Sequence, residues 1–169
     1  ACATTLLRYN RTMTKIILSG TGAELPVEFG EALNQNKAHQ LQILDLSYNE
    51  LSSTALVPLA LALRGFTHLL RVLNLYSAGL TPRGMSSPRK SQTLLLTSHM
   101  LGIAAILHAF RGNWGLSLGL EELNLGKNRM DSDTTSSFCE WITLMKSHCQ
   151  LKRLCLADTG ADGTPLIQA

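Results

Sequence analysis

Leucine recurs on a fixed lattice along this chain, and that lattice limits what it can fold into. Leu41, Leu44, Leu46, Asn49 and Leu51 fill the pattern L-x-x-L-x-L-x-x-N-x-L at every fixed position. Leu70, Leu73, Leu75 and Leu80 fill it again, with Ala78 in the Asn place. Leu120, Leu123, Leu125 and Asn128 form a third copy that ends on Met130. Weaker copies flank these: Met13, Ile16, Leu18, Thr21 and Ala23 on one side, Leu151, Leu154, Leu156, Thr159 and Ala161 on the other. The anchors at 13, 41, 70, 120 and 151 are separated by 28, 29, 50 and 31 residues. Five matches at a near-constant period define a repeat.

The chemistry of the pattern follows from strand geometry. In an L-x-L segment alternate side chains point to one side, so the leucines face inward and the residues between them face outward. An Asn after the strand can hydrogen-bond main-chain groups left open by the turn; Thr does this less well and Ala not at all. The segments 55–63, 102–110 and 134–146 read as helices. In the last of these Phe138, Trp141, Ile142, Leu144 and Met145 recur at helical spacing and should face the strands. Asp131, Ser132 and Asp133 offer N-cap chemistry just before it. Strand then helix at this period is a leucine-rich-repeat solenoid. The expected class is α/β, a horseshoe arc with parallel strands on the concave face and helices on the convex face. Residues 1–12 form a lead-in and residues 13–169 carry the repeats. The interval of 50 has two readings: an insertion around 82–100, which the sequence slightly favours, or a degenerate extra repeat starting at Ser91.

Composition removes several alternatives. Charged residues are 16% of the chain, against about 25% in an average domain. The net charge of +3 is small, and the nearest basic group, Arg83, Arg89 and Lys90, stands in a loop-like stretch, so no nucleic-acid partner is expected. The longest apolar run, Ala55 to Leu63, is interrupted by Pro58 and is too short to cross a membrane. No secretory signal is visible at the start, and an initiator Met is lacking. Cys2, Cys139, Cys149 and Cys155 include no Cys-x-x-Cys pair, so they read as reduced thiols rather than metal ligands.

The outward positions of the strands are the candidate binding face. They are Lys15, Ile17 and Ser19; Ile43, Asp45 and Ser47; Val72, Asn74 and Tyr76; Glu122, Asn124 and Gly126; Arg153, Cys155 and Ala157. Asp45, Ser47, Asn74, Tyr76, Glu122, Asn124 and Arg153 are the candidates for partner contact, and Tyr76 is the best anchor because exposed Tyr is enriched in interfaces. An enzyme is not expected. The histidines (His39, His68, His99, His108 and His148) show no converging nucleophile and orienting group, and His39 and His68 occupy equivalent repeat positions. No G-x-S-x-G, P-loop or H-E-x-x-H occurs, and Ser19-Gly20-Thr21-Gly22 reads as a post-strand turn, so no cofactor is expected. The expected partners are proteins, or a second copy of the chain if an uncapped stack leaves apolar ends exposed.

Some stretches resemble one family more closely. Leu18 to Val27 and Leu75 to Met85 are similar to repeats of the CARMIL proteins, which link capping protein, the actin-branching complex and myosin-I; Leu125 to Asn128 and Leu156 to Asp158 also look like repeats of that family. The resemblance spans roughly 13–85 and 118–163. It implies a cytoplasmic scaffold near the plasma membrane, at lamellipodia, acting in regulation of actin filament assembly and capping. The family's membrane-binding and capping-protein-binding segments are not recognisable, and 82–117 departs from its regular repeats. A ribonuclease-inhibitor-like or innate-immune-receptor-like binding module shares the same period and is the alternative.

Overall fold

The computed structural model describes residues 2–21, 24–36, 40–51, 53–66, 69–80, 102–111, 119–145 and 149–160. Strands and helices alternate: α1 (Cys2–Tyr9), β1 (Lys15–Ile17), α2 (Val27–Gln35), β2 (Ile43–Asp45), α3 (Ser53–Gly65), β3 (Val72–Asn74), α4 (Ile103–Arg111), β4 (Glu122–Asn124), α5 (Ser132–Met145) and β5 (Arg153–Cys155). The five strands form one parallel sheet in chain order. Each helix packs on the next, α1 on α2, α2 on α3, α3 on α4 and α4 on α5.

The register is set by the leucine lattice. Ile16, Leu44, Leu73, Leu123 and Leu154 are aligned across the sheet, one per strand. Ile16, Leu44, Leu73 and Leu123 are buried, as are Leu46, Leu75 and Leu125 two residues later. From the other side the core is closed by Phe29, Leu33, Leu59, Leu63, Ile106, Phe110, Phe138 and Trp141. Phe110 and Phe138 both lie against Trp141, with ring centroids 5.1 and 5.5 Å apart. Across the 50-residue interval β3 pairs directly with β4, Val72 beside Glu122, so no other strand stands between them. Residues 81–101, which include Ser91 and the basic group Arg83, Arg89 and Lys90, lie outside the described residues.

The Asn position behaves as a staple between repeats. Asn49 Nδ2 donates to Leu46 O at 3.1 Å in its own repeat and to Leu18 O at 2.6 Å in the preceding one. Asn128 Nδ2 does the same to Leu125 O at 2.9 Å and Leu75 O at 2.7 Å. Its Oδ1 also accepts from the backbone N–H of Ala78 and Leu80, at 3.1 and 3.0 Å. Ala78, which has no side-chain donor or acceptor, is thus served by Asn128. The threonines do more than the sequence suggested: Thr21 Oγ1 donates to Asn49 Oδ1 at 2.6 Å, and Thr159 Oγ1 to Leu156 O at 2.8 Å.

Several local expectations need correction. Leu144 is 53% exposed and leaves the core stripe of α5, which is Phe138, Trp141 and Met145 with Ile142 half-buried against the core. Residues three, four and seven after Phe138 complete that stripe; six places Leu144 off it. The helix does start where its cap chemistry lies, with Asp131 Oδ1 accepting from Thr134 N–H at 2.8 Å. The helix expected over 55–63 forms as α3, with Pro58 inside it. Neither α1 nor α2 was read from the sequence. α2 starts after Pro26 with no side-chain cap, and Gly30 lowers its propensity. That glycine allows a close approach: a Cβ there would stand 2.5 Å from Leu59 N and 2.7 Å from the Pro58 carbonyl carbon. α1 is held by Asn36, whose buried amide donates to Leu7 O at 2.7 Å and to Asn10 O.

Candidate functional site

The outward residues fall into straight rows because the sheet is parallel and in register. One row is Lys15, Ile43, Val72, Glu122 and Arg153; the next is Ile17, Asp45, Asn74, Asn124 and Cys155. Ser47, Tyr76 and Gly126 follow two residues later on their strands. An open groove of about 640 Å³ crosses this face, lined by Asp45, Val72, Asn74, Glu122, Asn124 and Arg153 among others.

Asp45, Asn74 and Asn124 have a common local task. Each side-chain oxygen accepts the backbone N–H two residues on: Asp45 from Ser47 at 2.9 Å, Asn74 from Tyr76 at 3.2 Å, Asn124 from Gly126 at 3.1 Å. Such bonds close the turn after the strand. Asp45 is further engaged by Ser47 Oγ at 2.7 Å and by Asn74 Nδ2 at 3.0 Å. All three are half-buried. Ser47 departs from the sequence expectation of an outward contact: it is buried, with its hydroxyl between Asp45 Oδ1 and Ser19 Oγ, 2.8 Å away. Its polar group is used up inside the protein.

Glu122 and Arg153 are brought together as an ion pair between neighbouring strands. Beside them Glu121 holds Lys152 at 2.8 Å and Arg71 at 3.6 Å. The hydrogen bond from Lys152, with the charges of Lys152 and Arg71, draws the Glu121 carboxyl below its ordinary value against a smaller opposing effect of burial. Tyr76 is half-buried and meets Tyr48 edge-on, with ring centroids 5.2 Å apart. Lys127 Nζ stands 5.7 Å from the centroid of the Tyr76 ring.

Tyr48, Lys127, Arg71 and Lys152 were not among the residues read from the sequence. The signal for the first two is positional. Gly20, Tyr48, Ser77, Lys127 and Asp158 occupy one repeat position, and all have positive φ, from 50° to 66°. Only one of the five is glycine, so nothing in residue type betrays the left-handed turn. Arg71, Glu121 and Lys152 share the position just before the strand, where strand alternation sets no expectation of outward display.

Cys139, Cys149 and Cys155 are free thiols, half-buried, and burial pushes the Cys139 thiol up. His108 is exposed on α4; its pKa is lowered first by partial desolvation, then by Arg64 and Arg111. His39, His68, His99 and His148 lie outside the described residues. Among the described residues no three His, Cys, Asp or Glu side chains gather to hold a metal. No helix among them is long and apolar enough to cross a membrane.

The family model for the leucine-rich repeat matches residues 37–60, the stretch that carries β2 and the first half of α3. No curated protein and no solved structure matches the chain. The matched repeat and the parallel sheet alternating with helices support a leucine-rich-repeat protein, a class that typically serves as a protein-binding scaffold and not as a catalyst.

Proposed function

We propose that the chain is a protein-binding module whose outward sheet face, the concave side of a solenoid arc, is the contact surface. The observation that carries this reading is the register. It sets side chains from five strands in rows on one face, with a groove across it and two tyrosines at its edge. A surface of that kind is adapted to an extended partner. Asp45, Ser47, Asn74, Glu122 and Asn124 shape it, and Tyr76 and Arg153 contact the partner. The repeats run from 13 to 169 after a lead-in of 1–12, with the segment around 82–100 as an insertion; the direct pairing of β3 with β4 favours that over an extra repeat.

Within this class the resemblance of Leu18 to Val27 and of Leu75 to Met85 to CARMIL repeats supports a role in actin filament assembly, in the cytoplasm near the plasma membrane. The test is capture from cytosol with residues 1–169 as bait, read by mass spectrometry beside Tyr76→Ala. Recovery of capping protein, class-I myosin or other actin regulators by the native chain, reduced by Tyr76→Ala, is the expected result. Equal recovery by both baits removes Tyr76 from the contact surface. Capture of a ribonuclease or an immune adaptor in their place overturns the actin assignment.

A further inference from the structure

The tyrosine on this face is held in place by an absent side chain. A Cβ on Gly126 would sit 2.8 and 2.9 Å from Cδ2 and Cε2 of Tyr76. The Tyr76 ring therefore occupies the space over Gly126, in the turn after the neighbouring strand. Tyr48 meets the ring edge-on, and the Tyr76 backbone N–H is tied to Asn74. A ring fixed in this way loses little rotamer freedom when a partner arrives, which favours tight contact.

The second feature is how charge is layered beside it. Glu121 and Glu122 are 22% and 32% exposed, whereas the cations paired with them, Arg71, Lys152 and Arg153, are 62%, 69% and 76% exposed. Both carboxylate oxygens of Asp45 are engaged by Ser47 and Asn74. The acids on this part of the face thus lie low and are occupied inside the protein, and positive charge projects to solvent. Lys127 adds a cation beside Tyr76. Asp158, exposed in the turn after β5, is an acid at the repeat position that Lys127 holds.

We propose that this face takes an extended acidic segment of a partner protein, with Tyr76 as its apolar anchor and Gly126 as the residue that positions Tyr76. The proposal rests on the protein-binding reading above and deepens it. Arg71, Lys127, Lys152 and Arg153 meet the partner's carboxylates, and guanidinium groups can do so in bidentate fashion. Charge complementarity selects an acidic partner over a basic one and makes association sensitive to salt.

The test uses the full chain and two fluorescein-labelled dodecapeptides, one of Glu with interspersed Leu and one of Lys with interspersed Leu, followed by fluorescence anisotropy. The Glu peptide should bind at least about tenfold more tightly, a difference of about 1.4 kcal/mol. High salt should erase most of the preference. Exchanging both Lys152 and Arg153 for Glu should reverse it. Gly126→Ala should weaken Glu-peptide binding severalfold and lower the melting temperature only modestly, because the new methyl must displace the Tyr76 ring and stands 3.2 Å from Ala157 O. Equal binding of the two peptides, or tighter binding of oligothymidylate than of the Glu peptide, overturns the acidic partner. Unchanged binding by Gly126→Ala overturns the positioning role. If cytosolic capture depends on Tyr76 while the two peptides bind alike, the protein-binding reading stands and this inference fails. If neither Tyr76-dependent capture nor a peptide preference is seen, both fail.

Discussion

The middle of the sheet and its β5 side carry the same leucine pattern with different results. Leu44, Leu73 and Leu123, in β2 to β4, are at most 1% exposed, and Leu154 at the matching place in β5 is 40% exposed. Leu46, Leu75 and Leu125 are wholly buried, and Leu156 is only half-buried. The strand itself is equally well formed in both regions. What differs is the neighbours: an inner leucine is enclosed by repeats on both sides, whereas β5 stands at the edge of the sheet. Burial in a repeat protein is therefore a property of adjacent pairs and not of the motif.

The sharpest way to break that comparison is a charge at each place. Leu44→Asp should destabilise by more than about 4 kcal/mol, since it buries an unpaired carboxylate. Leu154→Asp should cost about 1 kcal/mol or less, because a charge there reaches water. Equal shifts in thermal midpoint would mean that the two strands are equally enclosed in solution.

The staples give a second, smaller contrast. Asn128→Ala leaves Leu75 O and the N–H groups of Ala78 and Leu80 without that partner. A loss of about 2–3 kcal/mol is expected, as for buried groups left unsatisfied. Thr159→Ala, at the same position beside β5, should cost less. Denaturant titrations of the two variants would decide, and a larger loss at Thr159 would refute the ranking.

Between helices the contrast is of glycines. Gly30→Ala should destabilise by about 1–3 kcal/mol, because its methyl meets the backbone of Pro58 and Leu59 and the helices must part. Gly126→Ala meets the Tyr76 ring and the Ala157 carbonyl oxygen, 3.2 Å away, and should lower the melting temperature less, because a ring shifts more readily than two stretches of backbone. A similar loss of stability from both would show that the Tyr76 ring cannot yield.

The smallest expected effect is on acidification. The Glu121 carboxyl titrates below its ordinary value in the fold, so the unfolded chain takes up its proton first. Its contribution is complete above the unfolded carboxylate range and is lost as pH falls from there through the lower folded value. His108 is also held below its ordinary value, which makes the fold lose stability as pH falls past 6.5. Glu121→Gln should flatten the acid limb of the stability curve and His108→Gln the limb near neutrality. Curves that coincide with that of the native chain would remove these groups from the pH response.

The strands were legible because their burial is written in one residue type at one spacing. Each of the five anchors read from the sequence, at 13, 41, 70, 120 and 151, is followed by a strand two residues on. The helices were legible where apolar residues were dense, as in α3 to α5. α2 was not, although Phe29, Ala32 and Leu33 are buried at helical spacing, because Gly30 interrupts the propensity that its packing requires. The site was legible only as a set of outward positions. Nothing in the identity of Ser47 shows that its hydroxyl is buried between Asp45 and Ser19, and nothing at Gly126 shows that a ring from the neighbouring repeat fills its place. Both depend on which residue stands in the next row, and that is fixed by register.

The register has a further consequence for any chain laid across the rows. Neighbouring strands in a sheet are about 4.8 Å apart, whereas same-side residues of an extended peptide recur about every 6.6 Å. Four rungs of the one scale span nearly the same length as three of the other, about 19 Å against about 20 Å. A peptide crossing the sheet would come into step with the side chains beneath it at its two ends and drift out of step between them. The two scales act as a vernier, so such a peptide would be recognised at a few privileged points and not by a contact repeated at every strand.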